Sequence, residues 1–252
     1  MSWNGSLDRL VRVLTPDARV TVITGAGVSA ASGVPTFRGP DGLWNRVRVE
    51  DLASPEAFAR DPRLVWQWYD WRRRAIAACE PNDGHRVLAS WARRFSRFTL
   101  ITQNVDGLHE RAGSPDILRL HGSIWDVGCW KGCLAAPHRW RDETVPLPVL
   151  PPPCPYCGGP LRPGVVWFGE VLDAEVFEHS LDATDCDVFF TIGTSAIVFP
   201  AAGLMEHARR QGAMTVEINP ESTSATGRVD LALSQAAEVA LPAIEHRLTR
   251  ER

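Results

Sequence analysis

Between Thr102 and Ser123 the chain reads TQNVDGLHERAGSPDILRLHGS, which sets two amides (Gln103, Asn104), an acid (Asp106) and two histidines just beyond an apolar run. An imidazole titrates near neutrality, so it can take up a proton and return it within one reaction. His121, at a strand end before a glycine, is the candidate base, although an isolated histidine there reads equally as a satisfied structural residue. His109 falls inside a helical pattern after a glycine and reads as a surface or packing histidine.

A second candidate lies upstream. In VITGAGVSAASGVPTFRG, Gly25, Gly27 and Ser29 follow a strand pattern and open a helical one. Glycines at such a turn permit positive φ and let backbone amides approach a pyrophosphate, whose charge a helix N-terminus favours. The pattern is G-x-G-x-x-A, and the acid that usually holds a ribose hydroxyl about twenty residues on has no counterpart at the end of a second strand. The fragment alone therefore also fits a purely structural turn. TFRGPDGLW follows, rich in glycine and proline, and reads as a mobile loop over a ligand. Gly193, Thr194 and Ser195 close another apolar run, and Asn219 closes a fourth, where open α/β sheets bind ligands; each by itself is a turn.

Of the six cysteines, Cys129, Cys133, Cys154 and Cys157 form two tight pairs, while Cys79 and Cys186 sit in apolar runs and read as inert buried thiols. Four thiolates suit tetrahedral Zn2+ in a closed structural site, with no position open to activate water. CWKGC has three residues between its cysteines where two are commoner, and His138 is a substitute for one thiolate. A metal-free loop is the alternative.

These groups need a scaffold. RVTVITGAG, FTLITQNVDG, DVFFTIGTS and MTVEINP are continuous rather than alternating apolar runs, which predicts strands covered on both faces in a parallel sheet. Helices are predicted over Leu7–Leu14, Asp61–Ala78, Asn82–Arg94, Asp106–Arg111, Ala174–Leu181, Pro200–Gln211 and the final PAIEHRLTR. The fold class is α/β, a Rossmann-like doubly wound parallel sheet spanning 1–37, 81–122 and 167–252. It carries a helical, cofactor-loop insert over 38–80 and a small zinc-binding module over 123–166. Cysteine pairs and PLPVLPPPCP displace any helical or strand period in that module, and its proline density cannot continue a core sheet.

A chain of 252 residues suits one such domain with an appendage, and a formal net charge of −3 lacks the basic excess of a stand-alone nucleic-acid binder. No stretch offers eighteen uninterrupted apolar residues, and MSWNGSLDRL lacks a signal-peptide pattern, so no membrane partner and a soluble, cytoplasmic location are expected.

With GAGVSAASGVPTFRG, TQNVDGLHERAG, LHGS, the cysteine pairs, VVWFGE, IGTS and INPE in this order, the chain resembles the sirtuin family over nearly its whole length. The resemblance implies an NAD-dependent protein lysine deacylase with its active site between a Rossmann-like domain and a small zinc domain. It makes His121 the general base. It assigns Gln103 to a ribose hydroxyl, and Asn104 and Asp106 to the ribose, an ordered water and the nicotinamide amide. Gly25, Ala26, Gly27, Ser29, Val105, Gly193, Thr194, Ser195, Asn219 and Ala237 become cofactor contacts. Phe37, Arg38 and Trp44 fall in the cofactor loop. The implied reaction is attack of the acyl oxygen on C1′ of the nicotinamide ribose, which expels nicotinamide, then proton removal by His121 through the ribose hydroxyls so that the 2′-oxygen attacks the resulting imidate, and addition of water, which completes the transfer to O-acyl-ADP-ribose and free lysine.

The resemblance also bears on the acyl group. Tyr69 and Arg72 in WQWYDWRRR lie three residues apart on a predicted helix, matching sirtuins that prefer succinyl and malonyl groups. A guanidinium binds a carboxylate bidentately and a phenol adds one hydrogen bond. Ala53 matches a small residue that leaves room for longer acyl groups. Read without the resemblance, Arg72, Arg73 and Arg74 are a solvated helix face, and Trp66, Trp68 and Trp71 are packing residues. Val165, Val166, Phe168 and Gly169 match the segment that pairs with substrate backbone as an added strand, so the implied partners are acylated lysines of proteins. Two other readings stay open: a mono-ADP-ribosyltransferase, and a non-enzymatic zinc-ribbon interaction module.

Overall fold

The computed structural model describes residues 3–36 and 51–250. The chain begins with α1 (Trp3–Val11), β1 (Arg19–Thr24) and a short 3-10 helix (Ala26–Ser32), and resumes with α2 (Pro55–Arg60), α3 (Pro62–Ala77) and α4 (Asp83–Arg94). There follow β2 (Arg97–Thr102), α5 (Leu108–Arg111), β3 (Leu118–Arg119), β4 (Gly122–Cys129), β5 (Trp140–Arg141) and β6 (Leu161–Val165). The last third supplies α6 (Ala174–Asp182), β7 (Val188–Ile192), α7 (Gly203–Arg210), β8 (Met214–Ile218), β9 (Leu231–Leu233) and α8 (Ala237–Arg250).

Among the described residues a six-stranded sheet runs in the order β3-β2-β1-β7-β8-β9, with every pairing parallel. The four strands predicted from continuous apolarity are its centre, and they are covered on both faces. Val22 and Phe190 face one hydrophobic cluster while their neighbours Ile23 and Phe189 face another. Each such side chain withdrawn from water contributes about 1.5–3 kcal/mol. The order reverses between β1 and β7, which opens a crevice beyond their carboxyl ends, the ligand position of a doubly wound sheet.

Helices α2, α3, α4 and α6 start where side chains accept the orphan backbone amides of the first turn. Asp61 Oδ1 accepts from Leu64 N at 2.9 Å, ahead of Pro62, and opens α3. Asn82 Oδ1 accepts from Gly84 N at 2.9 Å and opens α4, in a capping box completed by His85 rather than the usual glutamate or glutamine.

One expectation needs correction. Segment 123–166 does hold strand structure: β4 pairs antiparallel with both β5 and β6 in a second, three-stranded sheet. Pro163 sits inside β6 because that strand is an edge, where a missing donor costs little. The helix expected to open at the turn after β1 is there, as a seven-residue 3-10 helix. Helices α2 and α3 share one hydrophobic cluster with β4 and β6, so Phe58, Trp66 and Tyr69 pack with Ile124, Leu161 and Trp167.

Candidate active site

A cleft of about 1020 Å3 lies beyond the carboxyl ends of the parallel strands and is bounded opposite by α3 and the segment after β6. At its floor the loops after β1 and β7 touch: Gly25 N donates to Ile192 O at 2.9 Å, and Gly27 N to Gly193 O at 2.8 Å. A Cβ on Gly27 would lie 2.8 Å from Gly193 Cα, so both positions need glycine. Close approach is the reason on the β1 side, where Gly25 keeps an extended backbone with φ −125. Positive φ is required at Gly193, with φ 59. Gly25, Ala26, Gly27, Gly193, Thr194 and Ser195 all line the cleft. Asn219 joins them, its Nδ2 donating to Thr194 O at 3.1 Å, and Ala237 lines it beside Ala236.

Beyond β2 the amide and acid residues divide into two layers. Gln103, Asn104 and Val105 face the cleft, with Gln103 Nε2 donating to Thr194 Oγ1 at 3.0 Å and Asn104 Nδ2 to Gly25 O at 3.1 Å. Asp106 and Ser29 are not on that wall. Asp106 is buried behind it, accepting from Ser29 Oγ at 2.8 Å and Leu108 N at 2.9 Å. Burial pushes its carboxyl upward, against the pull of those two hydrogen bonds.

His121 lines the cleft with its Nδ1 3.0 Å from Gln103 O. A carbonyl can only accept, so Nδ1 carries the proton and Nε2 presents the lone pair. Burial lowers the ring's pKa below 6.5, opposed by the bond to Gln103, and keeps it neutral at physiological pH. His109 is the packing residue its pattern suggests, 1% exposed, with Nε2 2.9 Å from Thr24 Oγ1. Its ring lies 4.8 Å from that of His85, which sequence reading missed; the signal was histidine three residues after a helix-capping asparagine. Burial drives His85 down to about 4 and holds His109 well below the ordinary imidazole range, so this layer behind the cleft carries two neutral imidazoles.

On the opposite wall the arginine run is not a solvated face. Arg72 is 5% exposed and Arg73 0%, whereas the Arg74 side chain is 56% exposed and pairs with Asp70. Arg73 turns away to donate to Ile124 O at 2.8 Å. Arg72 lines the cleft, its guanidinium 5.0 Å from the Trp68 ring, and burial lowers its pKa. Tyr69 also lines it, with its hydroxyl accepting from Trp167 Nε1 at 2.9 Å; burial raises the phenol to about 12. Trp66 is a core residue donating to Leu161 O at 2.7 Å, Trp68 borders the cleft, and Trp71 is exposed. Ala53 lies at the same wall.

Val165, Val166, Phe168 and Gly169 form the cleft's rim. Val166 N donates to His121 O and Phe168 N to Ala53 O, both at 3.0 Å, so alternate amides are already spent inward. Phe37, Arg38 and Trp44 lie outside the described residues.

Apart from the cleft, the sulfurs of Cys129, Cys133, Cys154 and Cys157 lie within 4.8 Å of one another. The Cys129–Cys157 and Cys133–Cys154 separations are 3.6 and 3.8 Å. Tetrahedral zinc with bonds of about 2.3 Å sets its sulfurs about 3.8 Å apart, so the donor set fits a structural ion. The three-residue spacing of the first pair is accommodated, and His138 is not among the clustered ligands. Cys79 and Cys186 are buried, and burial raises both thiols.

A family model described as the Sir2 family matches residues 25–200. An NAD-dependent protein deacylase of Aquifex aeolicus (strain VF5) is 48% identical over 223 residues, 88% of this chain and 92% of that protein. A solved Sir2 homolog–NAD complex is 41% identical, with a TM-score of 0.88 covering 97% of this chain and 94% of the other. A mutant Sir2 homologue in complex with 2′-O-acetyl ADP ribose matches with a TM-score of 0.89 at 41% identity, covering 97% of each chain.

Proposed function

This chain belongs to the Sir2 family, and from that premise we propose that it is an NAD-dependent protein lysine deacylase whose cleft takes succinyl and malonyl as well as acetyl groups. One observation carries the reading: a neutral imidazole with its Nε2 lone pair presented, a glycine floor shaped for close backbone approach, and a buried arginine beside a tyrosine border one cleft. NAD supplies an anomeric carbon that releases nicotinamide and takes up the acyl oxygen.

The chain's own residues then have distinct tasks. Gly25, Ala26, Gly27, Gly193, Thr194 and Ser195 would receive the phosphates and ribose, Asn219 and Ala237 the adenosine end, and Gln103, Asn104 and Val105 the nicotinamide ribose. Asp106 and Ser29 act from behind the wall on the Asn104 side chain: Asn104 Nδ2 donates to Ser29 Oγ at 3.4 Å, and that hydroxyl donates to Asp106. His121 Nε2 takes the proton relayed from the ribose hydroxyls; the Gln103 carbonyl fixes the tautomer that allows it. Phe37, Arg38 and Trp44 remain proposed cofactor contacts on motif grounds. The rim at Val165, Val166, Phe168 and Gly169 would receive substrate backbone. Cys129, Cys133, Cys154 and Cys157 hold a structural zinc, which supplies no chemistry to the cleft.

Acidic acyl groups give the desolvated Arg72 guanidinium a bidentate carboxylate and the Tyr69 hydroxyl an acceptor. Acetyl offers neither. Arg72→Met should lower desuccinylation by about 30- to 150-fold, since a buried carboxylate would lose a partner worth roughly 2–3 kcal/mol, and should lower deacetylation far less. Equal loss of both activities, read from matched peptides, overturns the acidic-acyl reading.

A further inference from the structure

Trp167 lies directly after the rim segment Val165–Val166 and is held from four sides. Its ring is 2% exposed, stacked under the Arg162 guanidinium at 3.9 Å and set 5.4 Å from Phe58. Arg162 in turn pairs with Glu170, at 2.8 Å between Nη2 and Oε2, and the same Glu170 oxygen accepts the Trp167 backbone amide at 2.8 Å. That clamp aims Nε1 at the Tyr69 hydroxyl, 2.9 Å away. Tyr69 is fixed in its turn by an edge-on contact with Trp68 at 4.7 Å.

An indole N–H donates and never accepts, so at this contact the phenol oxygen must be the acceptor. The phenol proton is then directed elsewhere, and among the described residues the indole is the hydroxyl's one hydrogen-bond partner. Tyr69 borders the cleft, so the direction left to that proton is the cleft itself. We propose that Trp167 is a positioning residue for acyl selectivity: its indole N–H polarises Tyr69 into a fixed donor, biasing the pocket toward acyl tails that end in a hydrogen-bond acceptor. The inference rests on the reading that Tyr69 and Arg72 receive the acyl tail. A tail ending in a carboxylate gains a preoriented donor, whereas a tail ending in a methyl group leaves that donor without a partner and is penalised.

The test is a double-mutant cycle with succinyl- and acetyl-lysine peptides of one sequence, measuring kcat and KM separately for the parent chain, Trp167→Phe, Tyr69→Phe and the double variant. Trp167→Phe keeps an aromatic ring under Arg162 and removes the N–H. It is expected to raise KM for the succinyl peptide about 3- to 10-fold more than KM for the acetyl peptide. In the Tyr69→Phe background the same substitution should produce no further discrimination. Equal shifts for both peptides, or full additivity in the double variant, overturn the role of Trp167 while leaving the acyl-pocket reading intact. If neither Tyr69→Phe nor Arg72→Met discriminates between the peptides, that reading falls and this inference with it. A measurement that leaves Trp167 in place guards against misfolding of its variants: in 15N-labelled protein, Tyr69→Phe should move one of the ten indole N–H resonances upfield. Ten unmoved resonances overturn the proposal.

Discussion

His121 owes its proposed role to two contacts that pull in opposite directions. The Gln103 carbonyl fixes the tautomer and favours the protonated ring, while burial favours the neutral one and prevails. A base must be neutral to act, so kcat/KM should hold as pH falls to 6.5 and decline only below it, an acid limb shifted downward from an ordinary histidine. A pH profile with its acid limb at or above 6.5 contradicts this. The residue types were legible before the fold: His121, Gln103 and Asn104 meet at one wall as their spacing suggested. Which side chains face the cleft was not, because depth depends on packing. Asp106 and Ser29 turned out to be behind the wall, and Arg72 points into the cleft while Arg73, its neighbour in sequence, anchors α3 to β4.

At the scale of elements, two close contacts set the geometry. The loops after β1 and β7 pack glycine against glycine, so Gly27→Ala forces a backbone shift; overpacking of this kind costs roughly 1–3 kcal/mol, visible as a lower Tm and weaker protection by NAD. The start of α4 is pinned by His85, whose imidazole protonates near pH 6.5 in the unfolded chain and only at about 4 when folded. Protonation across that window favours unfolding, so stability present above pH 6.5 is lost progressively as pH falls toward 4, about 2–4 kcal/mol from this group. Thermal melts from pH 7 to 4.5 should show a shallower slope in His85→Gln than in the parent chain; identical slopes contradict it. Strand and helix periodicity revealed the parallel sheet because β1, β2, β7 and β8 are buried on both faces. The second sheet stayed hidden since β5 has two residues and β6 contains a proline, leaving no period to read.

Over the whole molecule, the parallel sheet supplies the glycine floor, and the unit of α2, α3 and the antiparallel sheet supplies the opposite wall, the one proposed to receive the acyl group, with the cleft between. The zinc cysteines sit in that second unit: Cys129 ends β4, Cys133 follows it, and Cys154 and Cys157 lie in the loop before β6. Removing the ion with a chelator should therefore lower Tm and loosen the opposite wall while far-UV circular dichroism retains the signal of the parallel sheet and its helices. Concerted loss of all structure would show that the two units do not separate. No helix among the described residues is long and apolar enough to cross a membrane. The central claim is that one cleft couples lysine deacylation to cleavage of NAD. The direct test incubates the chain with NAD and acyl-lysine peptide and counts nicotinamide against free lysine. One nicotinamide per lysine released, with both lost in His121→Ala, is the predicted result; NAD cleavage that proceeds equally without peptide, or deacylation without NAD, would contradict it.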